Sequence, residues 1–183
     1  MRATRRRPEE LGRRGGLQPL DAGGLESEGA AISIDNRLAE LGITLPEPAA
    51  PVAAYVPTVE ANGLLHVSGQ LPFLDGQLMT GRCGEDENED YAHRAAERCG
   101  VMLLAQIKKA LGSLDRVERV VKLGVFVSST AHFTAQPQVA NGASELMQKV
   151  FGDAGRHARS AVGVAVLPLG VAVEVDAIVA VKA

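Results

Sequence analysis

The chain has 183 residues, 46% of them hydrophobic, with a formal net charge of −3, 3% aromatic residues and no Trp. That length and apolar content suit one globular domain with a sizeable core. The acidic balance and the scarcity of rings argue against a basic surface or a base-stacking platform, so nucleic acid is not an expected partner. No apolar run approaches the ~20 residues of a membrane span, and the N-terminus lacks the apolar core of a secretory signal, so a cytoplasmic protein is expected. Cys83 and Cys99 stand outside any CxxC or Cys/His cluster and read as free thiols.

Residues 1–30 differ from the rest. Arg2, Arg5, Arg6, Arg7, Arg13 and Arg14 crowd the start and a Gly-rich polar stretch follows, the composition of a disordered extension. A single folded domain is expected over residues 31–183. It opens with a short amphipathic helix at about 34–42, capped by Ser or Asp and stopped by Gly42. Beyond the prolines at 46, 48 and 51, Tyr55 to Glu60, Asn62-Gly63 and Leu64 to Ser68 read as strand, two-residue turn and strand.

From Asn88 to Leu111, Ala92, Ala95, Ala96, Cys99, Leu103, Ile107 and Ala110 fall at three- and four-residue steps, which predicts a core-facing helix ending at Gly112. Val117 to Ser128 predicts a strand covered on both faces or nearly so. A second long helix is expected over 139–151, then two buried strands from Arg159 to Val179 broken by Leu167-Pro168-Leu169-Gly170. The order hairpin, helix, strand, helix, strand, strand predicts an α+β sandwich with the helices on one face of the sheet.

Arg159 and Glu174 lie inside this Val-rich closing region, where an unpaired charge is costly, so each needs a partner or a ligand. A guanidinium makes two parallel hydrogen bonds to a carboxylate, which makes Arg159 an anchor for a small organic acid. The alternative is an internal ion pair from Arg159 to Glu174 or Asp176. Those two carboxylates alternate with Val and point to one side of their strand; either burial there raises a carboxyl pKa toward neutrality and suits it to directing water, or both face solvent. Tyr55, Ser68, Gly69 and Gln70 mark strand ends. Asn141 with Gly142 reads either as ordinary helix-start chemistry or as a site residue. His66, His93, His132 and His157 show no metal-ligand spacing and read as surface or core residues.

Tyr55-Val56, His66-Val67-Ser68-Gly69-Gln70-Leu71-Pro72, Val120 to Val127, Ala158-Arg159-Ser160, Leu167-Pro168 and Val173-Glu174-Val175-Asp176-Ala177-Ile178 resemble, in the same order, segments of the RidA family, also called YjgF or endoribonuclease L-PSP. The resemblance covers roughly residues 50–183. It implies a chorismate-mutase-like α+β subunit, a homotrimer with ligand clefts between subunits, and hydrolysis of 2-imino or 2-enamino acids to 2-keto acids and ammonia without metal or cofactor. Carried over by position, Arg159 would hold the substrate carboxylate and Glu174 the attacking water, with Tyr55, Ser68, Gly69 and Asn141 lining the cleft. The rival functions are a small-carboxylate sensor without turnover and, from the family's older name, an endoribonuclease or translation inhibitor. Deaminases of the family typically carry Gly-Pro where this chain has Ala53-Ala54, a tyrosine at Ser144 and a cysteine at Ala161. These departures point to a divergent branch with a reshaped cleft.

Overall fold

The structure, a computed structural model, describes residues 33–48 and 54–183. The Arg-rich extension expected over 1–30 lies outside the described residues. The first element is helix α1 (Ile34–Glu40), where the Ser33 side chain accepts the Asn36 amide. It is tied to the rest by Ile34 N–H to Asp115 Oδ1 (2.8 Å), Lys108 to Asp35 (2.7 Å) and Arg37 Nε to the Lys149 carbonyl (2.9 Å).

Strands β1 (Thr58–Ala61) and β2 (Leu64–Gln70) form the expected hairpin. Its turn falls on Asn62 and Gly63, both at positive φ (53° and 73°), which an Asn-Gly pair adopts at little cost. A second small hairpin, β3 (Phe73–Leu74) and β4 (Gln77–Leu78), was not expected. Two-residue strands are too short to show alternation, although Asp75-Gly76 between them is a recognisable turn.

Helix α2 (Glu89–Leu111) has Asn88 as its cap and left-handed Gly112 as its stop. Strand β5 (Val117–Ser128) follows, then α3 (Gln136–Phe151), β6 (Ala158–Val164) and β7 (Val173–Val181). The α3 helix starts three residues earlier than the apolar period indicates, because Pro137 sits in its first turn, where its missing N–H costs nothing.

The main sheet has the order β1-β2-β7-β5-β6, antiparallel except for the parallel β5–β6 pair. The two long helices pack on one face of it, as the α+β sandwich requires. Between them and the sheet lie Leu103, Leu104, Ile107, Leu146, Met147, Leu123, Val125, Val173 and Val175, all essentially inaccessible.

Two expectations about strand burial fail. The strand β5 is closed over its second half but leaves Glu118, Arg119 and Lys122 exposed in its first. The strand β6 is not buried: it is a sheet edge, half-exposed along its length. Its run of small apolar residues reads as core because local composition does not distinguish a central strand from an edge.

The α2 and α3 backbones touch at Gly142, where a Cβ would overlap the His93 carbonyl oxygen. The obstacle is main chain and cannot rotate away. Gly142→Val is therefore expected to lower stability by roughly 1–3 kcal/mol, read by denaturant or thermal unfolding. Glu145→Ala, on the exposed side of the same helix, is expected to stay within about 0.5 kcal/mol of wild type.

Candidate active site

Arg159 lies near the start of β6, in register with Leu123 of β5, whose side chain is in the core. Its side chain therefore leans toward the helices and crosses to α3. There Nη1 donates to Asn141 Oδ1 (2.9 Å) and Ser144 Oγ (3.0 Å), and Nη2 to the Pro137 carbonyl (3.2 Å). Both hydrogens of Nη1 are thus used. Nε and one hydrogen of Nη2 have no partner among the described residues, which leaves the edge of the guanidinium suited to a carboxylate. The internal ion pair from Arg159 to Glu174 or Asp176 does not form; three neutral oxygens brace the cation instead. Asn141 is not a helix-start residue, since α3 begins five positions earlier.

A second cluster sits where β2 departs from regular pairing between Val67 and Gln70. Gln70 Nε2 donates to the carbonyls of Ser68 (3.0 Å) and Gly69 (3.2 Å), which holds the irregularity open. The Ser68 hydroxyl donates to the Val56 carbonyl (2.9 Å) and its amide to that of Pro57 (2.9 Å). These bonds fix the segment bearing Tyr55, a residue that is 52% exposed.

Glu174 lies directly against Gly69, close enough that any Cβ there would overlap its Oε1. Only glycine lets the two meet. Burial, and then the nearby charge of Asp176, hold the Glu174 carboxyl above its usual pKa. Asp176 is itself occupied, since its Oδ1 accepts the Gly124 amide (3.0 Å).

The two clusters do not meet within one chain. Arg159 shares a row with Leu123 and Ala177, whereas Glu174 shares a row with Phe126 and Val162, three residues along. Glu174 alternates with buried Val173 and Val175 and so points to the face away from the helices, opposite to Arg159. With β5 between them, strand spacing puts their Cα atoms about 14 Å apart. A cavity of about 550 Å³ lies elsewhere, between Thr44, Glu47, Phe73 and Arg98.

One group escaped the sequence reading. His157 is neither a free surface residue nor core filling: its Nε2 is 3.0 Å from Ser144 Oγ and its Nδ1 2.7 Å from the Gly155 carbonyl. Its position two residues before Arg159 was the available signal, because alternate strand residues share a face.

Residues 35–179 match the family described as "YjgF/chorismate mutase-like, putative endoribonuclease". Protein TCP17 of Trypanosoma cruzi is 55% identical over 144 residues, 78% of this chain and 90% of that protein. The crystal structure of Atu1372, a protein of unknown function from Agrobacterium tumefaciens, is 50% identical with a TM-score of 0.76, covering 81% of this chain and 92% of its own. RidA from the Antarctic bacterium Psychrobacter sp. is 29% identical with a TM-score of 0.51, over 74% and 94% of the two chains. The mixed sheet, the helices on one face and these similarities agree: the chain belongs to the RidA family, the YjgF/chorismate mutase-like proteins.

Proposed function

We propose that the protein hydrolyses 2-imino and 2-enamino acids of small side chain to 2-keto acids and ammonia, as a cytoplasmic homotrimer. The observation that carries this reading is the state of Arg159. A guanidinium braced by three oxygens with one edge open is prepared to receive a carboxylate at little further entropic cost. Among the described residues no helix is long and apolar enough to cross a membrane.

The chemistry needs little beyond orientation and proton management. With the substrate carboxylate on Arg159, water adds to the carbon of the C=N bond while Glu174 accepts its proton. Glu174 then returns that proton to nitrogen to give the carbinolamine, and next carries the carbinolamine's hydroxyl proton to the same nitrogen, which leaves as ammonia as the C–N bond breaks and the carbonyl forms. A raised pKa suits a carboxylate to both transfers. Tyr55, Ser68, Gly69 and Asn141 line the cleft in this reading.

Because Arg159 and Glu174 face opposite ways, a whole site requires the Arg159 cluster of one copy and the Glu174 cluster of another. The helix-free face of the sheet supports such assembly. It carries Val59 and Val162, 52% and 46% exposed, in rows with His66, Ile178 and Phe126, and among the described residues β6 presents an unpaired edge. The test is release of 2-keto acid and ammonia from imines generated in situ by an amino-acid oxidase, across several side chains. An assembled protein that accelerates none of them contradicts the proposal.

A further inference from the structure

The pair Ser144 and His157 stands behind Arg159, and its hydrogen bonds have only one consistent direction. The Gly155 carbonyl can only accept, so the 2.7 Å contact places a proton on His157 Nδ1. Burial first, and then the charge of Arg159, hold the imidazole below its ordinary pKa, although the Gly155 bond works the other way. Near neutral pH the ring is uncharged and Nε2 is a bare acceptor. The single proton of Ser144 must then go to Nε2 (3.0 Å), which turns the hydroxyl lone pairs toward Arg159 Nη1 (3.0 Å). Ser144 is buried, so water does not compete for that hydroxyl.

We propose that Ser144 and His157 are positioning residues of the anion site. A chain running from the Gly155 carbonyl through the imidazole and the hydroxyl fixes Nη1, and so turns the Nε–Nη2 edge of Arg159 to the ligand carboxylate. This rests on the reading of Arg159 as the carboxylate anchor. One consequence is a proton linkage. A bound carboxylate offsets the charge of Arg159, so His157 takes up a proton more readily with ligand than without, and affinity rises as pH falls.

The other charged groups around His157 are spoken for or face solvent. Asp153 and Arg156 pair with each other in the preceding turn (3.5 Å). On β5, Arg119 donates to the Arg156 carbonyl and Lys122 is exposed; on α3, Glu145 and Lys149 are exposed. Arg159 is the charged group whose field lowers His157.

The test uses the full-length protein with pyruvate as the probe, titrated calorimetrically at pH 7.5 and 5.5 in buffers of different ionisation heat, with imidazole ¹⁵N shifts recorded beside it. For wild type, affinity is expected to rise about tenfold from pH 7.5 to 5.5 with net proton uptake. Losing the acceptor in His157→Phe is expected to weaken binding about tenfold at pH 7.5 and to abolish the uptake that remains when Glu174, whose raised carboxyl shares the cleft, is replaced by Gln in both proteins. His157→Gln, which keeps a neutral acceptor for Ser144, should recover affinity at pH 7.5 but not the rise at pH 5.5. A resting imidazole protonated on Nε2 overturns the proposal. So does a His157→Phe protein that binds and takes up protons like wild type; if Arg159→Ala still abolishes binding there, the anchor reading stands. A folded wild type that binds no pyruvate removes the anchor and the proposal together.

Discussion

Arg159→Ala is expected to lower kcat/KM for a small 2-imino acid by roughly 10²–10⁴-fold, the equivalent of two charge-assisted hydrogen bonds at about 1.5–3 kcal/mol each. The fold should tolerate the change, because Asn141, one of the acceptors left behind, is exposed and can turn to water. Arg159→Lys is the informative companion. It keeps the charge but presents no planar edge, so recovery of only a small part of the activity would place the effect in bidentate geometry rather than in charge. Kinetics of 2-keto acid release, with thermal unfolding as a control on integrity, check both.

Glu174→Gln is expected to cost about 10²–10⁴-fold in kcat, the usual worth of a positioned acid–base group, while carboxylate binding persists. The wild-type rate should fall toward acid as Glu174 protonates, with its midpoint above the ordinary carboxylate value. The stability effect has the opposite sign. A carboxyl whose folded pKa is raised contributes stability below its unfolded pKa, and that contribution is lost as pH rises through the folded value. At neutral pH the Gln variant should therefore unfold at a temperature equal to or above that of wild type. A variant that loses stability at pH 7 while its rate holds would show that Glu174 is structural.

Much of this architecture is readable in the sequence because the physics that sets it is local. Asn62-Gly63 specifies a tight turn by itself, Asn88 and Gly112 bound α2, and the three-and-four spacing from Ala92 to Ala110 marks the buried face. Arg159, Glu174 and Gly69 stand out because a charge or a bare backbone in a Val-rich strand needs a reason. What was not legible is long-range. The Val-rich run from Ala161 to Val164 looks like core, yet whether an apolar strand is central or at an edge depends on strand order, which no single segment encodes. The partners of Arg159 come from α3, some twenty residues away, and Ser144 gives no local sign that it bridges Arg159 and His157. The opposite orientation of Arg159 and Glu174 follows only from the β5 register.

The central claim is that neither face of one chain is a complete site. It is tested by combining Arg159→Ala and Glu174→Gln chains, each inactive alone, by co-expression or by joint refolding into mixed oligomers. In a random equal mixture about one cleft in four takes its Arg159 half from a Glu174→Gln chain and its Glu174 half from an Arg159→Ala chain, and so is whole. The account predicts that imine hydrolysis returns to about a quarter of the wild-type rate per chain. A mixture that assembles and stays as inactive as its parents would mean that both residues act within one chain, and would contradict it.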